Sequence, residues 1–244
     1  MRDQTDVRGD NERRRFLGVL ASGTALVLTG CASGPRAGLG KTESELENHE
    51  EEVSPAEDLM REHGVLKRVL LVYGEVLRRV EANEDIPLQA LLDSAGIIRS
   101  FIEDYHEKLE EDFLFPRFRK ANRLVDLVEV LTEQHQAGRR LTDITIRLAA
   151  PQALKDPRDR RNLADSLRLF SRLYNPHAAR EDTVLFPALH EIVNPNEYGA
   201  LGEDFEKKEH KLFGDDGFEK MVDRVAAIEK GLGIYDLSQF TPRE

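Results

Sequence analysis

The sequence lacks the residue sets that several classes of protein require. It has one cysteine in 244 residues, so an internal disulfide and a cysteine-rich zinc or iron–sulfur site are both excluded. It has no tryptophan and no glycine-rich phosphate loop. Acidic side chains number 46 against 35 basic ones, and no basic patch follows the first forty residues. A nucleic-acid partner is therefore not expected.

Long hydrophobic runs are also missing, and the one apolar run near the start has the pattern of an export signal. Residues 16–30 form a run of 15 residues, whereas a membrane-spanning helix needs roughly 20. Arg13 and Arg14 before it resemble the pair of a twin-arginine signal. Leu28-Thr29-Gly30-Cys31 resembles the lipobox of bacterial lipoproteins, which implies cleavage before Cys31 and acylation of that residue.

These motifs predict an exported protein on the periplasmic side that contacts the membrane through a lipid anchor. We interpret residues 1–30 as the signal peptide. Residues 31–54 are small, polar and acidic without apolar periodicity, which is typical of a flexible tether.

From residue 55 onward the apolar residues recur with a helical period. The first stripe, at spacings of 4, 3, 4, 3, 4 and 3, consists of Leu59, His63, Leu66, Leu70, Tyr73, Leu77 and Val80. Similar stripes predict helices over about 87–120, from about 122 towards Pro151, and from Pro157 to about 192. Short connections favour antiparallel neighbours. We therefore predict an all-α fold, an up-down-up-down four-helix bundle over residues 55–192 with a helical extension over 193–244.

One histidine lies on the apolar stripe of each predicted helix: His63, His106, His135 and His177. At 1.5 Å per residue, His63 and His106 are each roughly 28 Å from the turn that joins their helices, and His106 and His135 are roughly 20 Å from theirs. The four imidazoles should therefore face inward at one level of the bundle.

An internal repeat adds two carboxylates to this level. Residues 106–116 and 177–187 both read His-x-x-x-Glu-acid-x-x-Leu-Phe-Pro. Within each copy, the histidine and the glutamate (Glu110 or Glu181) share a helix face. Burying two unpaired carboxylates costs several kcal/mol each. Two divalent or trivalent ions would compensate this charge, and mixed imidazole and carboxylate ligands suit iron, manganese or zinc.

This constellation resembles the hemerythrin-like, or HHE cation-binding, family over about residues 55–192. The resemblance implies a four-helix bundle with a centre of two iron ions bridged by Glu110 and Glu181. It further implies that His63 and His106 bind one iron, and that His135 and His177 bind the other.

The sequence departs from the invertebrate oxygen carriers of that family. They have a second histidine four residues after the third-helix histidine, where this chain has Arg139. They also have an aspartate five residues after the fourth-helix histidine, where this chain has Glu181 four residues after His177. It looks more like the bacterial branch that includes iron-centre repair proteins. His210, in a predicted fifth helix, is a candidate for the missing imidazole, with a surface position as the alternative.

Two functional classes fit the same residues. The first is a protein that binds or senses O2, NO or a related small ligand at an open position on the metal. The second is an enzyme that reduces peroxide or nitric oxide, or a repair protein that donates iron. The redox partner stays open in either case.

Overall fold

The computed structural model describes residues 53–242. The predicted signal, the twin arginines Arg13 and Arg14, and Cys31 lie outside the described residues, as does nearly all of the predicted tether. Residues from Ser54 onward form one compact unit.

All regular secondary structure within the described residues is helical, which confirms the predicted all-α fold. Helix α1 is Pro55–Glu81. Helix α2 is a continuous rod over residues 88–120, made of Leu88–Ile97, Ile98–His106, Glu107–Leu109, Glu110–Leu114 and Phe115–Lys120. Helix α3 is Val125–Leu148. Helix α4 covers residues 157–192 as Pro157–Arg180, Glu181–Leu185 and Phe186–Ile192. Helices α5 and α6 are Pro195–Phe213 and Gly217–Leu232.

Three of these helices begin with the same local chemistry, a side-chain cap followed by proline. Ser54, Asp156 and Asn194 each accept a hydrogen bond from a backbone N–H in the first turn of α1, α4 and α5. Each cap is followed by a proline, whose fixed φ and missing N–H suit the first helical position. The cap residue and the proline after it therefore determine where these three helices begin.

The two copies of the repeat contain matching π-helical turns, Glu110–Leu114 in α2 and Glu181–Leu185 in α4. The N–H of Phe115 donates to the carbonyl of Glu110, and the N–H of Phe186 donates to that of Glu181, five residues back in both cases. A proline follows each phenylalanine and removes the next α-helical donor. The wider π-helical turn tolerates the missing donor, and in each helix it begins at the inner glutamate, Glu110 or Glu181.

Helices α1 to α4 pack as the predicted bundle, and the extension covers one of its sides. Helix α6 packs on α1 and α2, and α5 packs on α1. The guanidinium of Arg68 on α1 binds the carboxylate of Glu229 on α6, with Nη2 2.5 Å from Oε2. Among the described helices none combines the length and the apolar composition that crossing a bilayer requires.

Candidate metal centre

The six residues predicted from the sequence come together in the interior of the bundle. Glu110 and Glu181 are fully buried, and the four imidazoles are buried as well. Ligand atoms of Glu110, His135, His177 and Glu181 lie within 4.8 Å of one another, and so do those of His63, His106 and Glu110. The two groups share Glu110, so they form one cluster.

The imidazole Nε2 atoms face the carboxylates. His63 Nε2 is 3.4 Å from Glu181 Oε2, and His177 Nε2 is 3.1 Å from the same oxygen. His135 Nε2 is 3.3 Å from Glu110 Oε2. His106 Nε2 is 3.9 Å from Glu110 Oε1 and 3.0 Å from His63 Nε2.

Each Nδ1 atom has a partner on the outer side of its ring. His63 Nδ1 lies 2.6 Å from Asp182, His106 Nδ1 lies 2.7 Å from Glu62, and His135 Nδ1 lies 3.0 Å from Glu111. His177 Nδ1 lies 2.9 Å from Oε1 of Gln134. Each of these oxygens is an acceptor, so each Nδ1 is placed to donate a hydrogen bond outward, while each Nε2 lies on the inner side of its ring.

Five of the inner polar atoms lack a hydrogen-bond partner among the described residues. All four carboxylate oxygens of Glu110 and Glu181, and Nε2 of His135, are buried and receive no hydrogen bond from the described residues. Buried polar atoms are almost always paired. Carboxylate oxygens and imidazole nitrogens that converge in this way form the donor set of a transition-metal site. The residues therefore fit the metal that the sequence predicts.

The pKa values of Glu110 and of two imidazoles are shifted in the direction that removes their charge. Burial, together with the charge of Glu181, raises the pKa of Glu110 well above its ordinary value. Burial also lowers the pKa of His106 and of His135, which keeps these rings neutral. A cation bound between the carboxylates would remove the repulsion that opposes the ionisation of Glu110.

Two basic side chains, Lys67 and Arg139, pair with the acids at the outer rim of the cluster, that is, with the carboxylates that contact the Nδ1 atoms. Each lies four residues after a lone histidine. Lys67 Nζ lies 2.9 Å from Asp182, and Arg139 Nη2 lies 2.8 Å from Glu111. Arg139, which occupies the position of the oxygen carriers' extra histidine, also lies 2.8 Å from Glu107. Its guanidinium therefore forms ion pairs with these carboxylates and supplies no metal ligand.

Another buried acid, Glu107, lies beside the cluster. Glu107 accepts a 2.6 Å hydrogen bond from the hydroxyl of Tyr174, whose ring packs edge-on against His177 at 5.4 Å between centroids. Burial raises the pKa of Glu107 well above its ordinary value. The Tyr174 hydroxyl reaches this position by passing directly over Gly138, which has no side chain to obstruct it.

His210 is not brought to the cluster. Its side chain is 63% exposed, and its Nδ1 lies 3.1 Å from Asp215 Oδ1. The expectation that His210 supplies a further imidazole is therefore corrected: the packing of α5 on the bundle turns this face of the helix to solvent. The alternative considered from the sequence, a surface histidine, describes its position.

Sequence reasoning missed the outer partners of the imidazoles, although a signal for them was present. Glu62 and Gln134 each directly precede a lone histidine, while Glu111 and Asp182 each directly follow an inner glutamate. The repeat includes that second acid. One step along a helix turns about 100°, so each of these residues points from its own helix to a ring on the neighbouring one.

Comparison with known proteins agrees with this geometry. The family model of the hemerythrin HHE cation binding domain matches residues 54–189 and, in a second overlapping placement, residues 126–232. This chain belongs to the hemerythrin HHE cation-binding family. The inner cluster can hold a metal ion.

Relatives of similar length exist in mycobacteria. The chain is 47% identical to Uncharacterized protein Mb2018 of Mycobacterium bovis and to Uncharacterized protein Rv1995 of Mycobacterium tuberculosis, in each case over 232 residues that cover 94% of this chain and 91% of the relative. No solved structure matched the chain.

Proposed function

We propose that the chain holds two iron ions between Glu110 and Glu181 and uses them to bind or sense O2, NO or a related small ligand. The observation that carries the proposal is the set of four buried carboxylate oxygens that receive no hydrogen bond from the described residues and lie beside four buried imidazoles. Iron, of the metals that accept mixed imidazole and carboxylate ligands, supplies redox and small-ligand chemistry.

The assignment of ligands follows the two groups of atoms. His63 and His106 lie together, with their Nε2 atoms 3.0 Å apart, and form one histidine pair. His135 and His177, with ring centroids 5.0 Å apart, form the other. Glu110 and Glu181 lie between the two pairs and serve both. With only two imidazoles and shared carboxylates for each ion, coordination positions stay open for an external ligand.

An enzymatic role is the second candidate, and the exposed position of His210 favours it. Without a fifth imidazole from the described residues, one more coordination position is open than in the oxygen carriers that the sequence resembles. That position would admit water or peroxide, which favours turnover of peroxide or nitric oxide, or release of iron, over reversible carriage. Arg139, held by Glu107 and Glu111, does not fill it.

We also propose that the protein is exported in folded form and anchored by lipid at Cys31. The twin-arginine route carries folded proteins, so the iron site would be assembled before the chain crosses the membrane. The anchor would then keep the small-ligand site at the membrane surface.

Optical titration tests the functional part of this proposal. The full chain, loaded with iron and reduced without oxygen, is titrated with O2 and, separately, with NO. A reversible new absorption band with either gas supports binding or sensing, while catalytic consumption of peroxide or NO supports the enzyme. Absence of any ligand-dependent band and of any turnover would overturn both.

A further inference from the structure

The four residues that contact the outer nitrogens of the imidazoles correspond in two pairs, and the members of one pair differ in charge. Asp182 and Glu111 are equivalent in the repeat: each accepts from the Nδ1 of a lone histidine and pairs with a cation four residues after it. Glu62 and Gln134 are equivalent in the same way, since each precedes a lone histidine and reaches the ring of the next helix. One is a carboxylate and the other an amide.

The difference acts directly on two ligand rings. Glu62 is buried, and its Oε2 lies 2.7 Å from Nδ1 of His106. Gln134 is half-buried, and its Oε1 lies 2.9 Å from Nδ1 of His177. A carboxylate that accepts from a metal-binding imidazole makes the ring a stronger donor than an amide does, because it stabilises positive charge on the ring.

The other charges near the two histidine pairs do not cancel this difference. Each pair has one carboxylate–cation unit at the rim, Asp182 with Lys67 and Glu111 with Arg139. Glu107 is an additional acid near His135, but it accepts a hydrogen bond from Tyr174 and pairs with the guanidinium of Arg139. The contact of the Glu62 carboxylate with His106 therefore corresponds to a contact with an uncharged amide at His177.

We propose that the two metal positions are unequal, and that Glu62 and Gln134 set the difference. The position at His63 and His106 binds a divalent ion more tightly and fills first, and the position at His135 and His177 fills second. The inference rests on the proposed metal site, and it assigns Glu62 and Gln134 as positioning residues that act through the rings.

A titration with Co2+ tests the inequality. Metal-free full chain is titrated while the visible absorption of bound Co2+ is recorded, and a competing chelator gives the affinity of each step. The wild type should bind two ions in two steps. Glu62→Gln should weaken the first step by about 10- to 100-fold, and Gln134→Glu should strengthen the second step by a similar factor.

The opposite directions of these effects separate the proposal from simpler explanations. Repulsion between the two ions would also give two steps, but the affinities of these steps would then still differ in Glu62→Gln. A merely structural role would weaken binding in both variants. The double exchange Glu62→Gln with Gln134→Glu should restore two separate steps. Glu75→Gln, which alters a half-buried carboxylate paired with Arg78 and Arg79, should change neither step.

The outcomes also separate this inference from the proposed function. Two Co2+ ions bound by the wild type at one affinity, or steps that neither exchange moves in folded variants, would overturn the inequality while leaving the metal site in place. A folded wild type that binds no Co2+ would overturn both. Far-ultraviolet circular dichroism of each metal-free variant establishes that it is folded.

Discussion

Gly138 on α3 lies directly against Tyr174 on α4, so closely that a Cβ on Gly138 would be 1.9 Å from the tyrosine hydroxyl. The hydrogen bond from the Tyr174 hydroxyl to Glu107 depends on this close packing against Gly138. Because Tyr174 is buried and its ring packs against His177 and Phe170, it has little room to move aside.

Gly138→Ala should therefore destabilise the protein. The clash should cost about 1–3 kcal/mol, as is usual when a well-packed core receives extra atoms. Urea unfolding of the metal-free protein measures the change. Gly74→Ala is the matched control, since nothing lies within 4 Å of a Cβ there, and it should stabilise α1 by about 0.5–1 kcal/mol. Equal stability of the two variants would contradict the assigned packing.

Glu111 should make the metal-free protein sensitive to acid. Burial opposes its ionisation, but hydrogen bonds from His135, Lys108 and Arg139 outweigh burial and lower its pKa to about 2 from an ordinary value of 4.5. A carboxyl whose pKa is lowered by folding contributes stability that is fully present above pH 4.5 and is lost as the pH falls towards 2.

In Glu111→Gln, the free energy of unfolding should fall less steeply between pH 4.5 and 2.5 than in the wild type. Denaturant unfolding at several pH values measures the slope. Glu133→Gln, at an exposed position on α3, is the control and should keep the wild-type slope. An unchanged slope in Glu111→Gln would show that the ion pairs at the rim add no stability.

His210→Ala should leave the centre intact. The side chain is exposed and pairs with Asp215 rather than with the cluster. The variant should keep the metal content, optical bands and autoxidation rate of the wild type, whereas His177→Ala should lose metal. A shorter-lived O2 adduct in His210→Ala would instead mean that α5 rearranges to bring this ring to the metal.

Export should depend on the two N-terminal motifs. Replacing Arg13 and Arg14 together by lysine should trap the precursor in the cytoplasm, and Cys31→Ala should release the protein from the membrane fraction. Replacing Arg2 and Arg8 by lysine is a control outside the motif. Fractionation followed by immunoblotting measures each outcome, and normal delivery of the Arg13 and Arg14 variant would point to the general secretory route.

The sequence was enough to predict the bundle and the residues at its centre, because both depend on helical periodicity. His63 and His106 occupy positions on apolar stripes, and a fixed rise per residue places them at one level. The inner glutamates follow from the same rule, since Glu110 and Glu181 lie one turn after a histidine on the same face.

Features off the apolar stripe were not predictable in the same way. Glu62 and Gln134 reach rings on neighbouring helices, so their roles depend on how helices pack rather than on local pattern. The position of His210 depends on how α5 rotates against the bundle, which only tertiary contacts determine. The π turns at Glu110 and Glu181 do not alter the apolar pattern, although Pro116 and Pro187 mark their ends.

The central claim is that Glu110 and Glu181 hold two iron ions, and elemental analysis of the purified full chain tests it most directly. The wild type should contain about two iron ions per chain, since six mixed ligands with shared carboxylates suit two such ions. Glu110→Ala and Glu181→Ala should lose most of the metal. His190→Ala should keep it, because this exposed ring on α4 stacks on Tyr198 away from the cluster. A wild type with one zinc ion and no iron, or glutamate variants that retain full metal, would contradict the account.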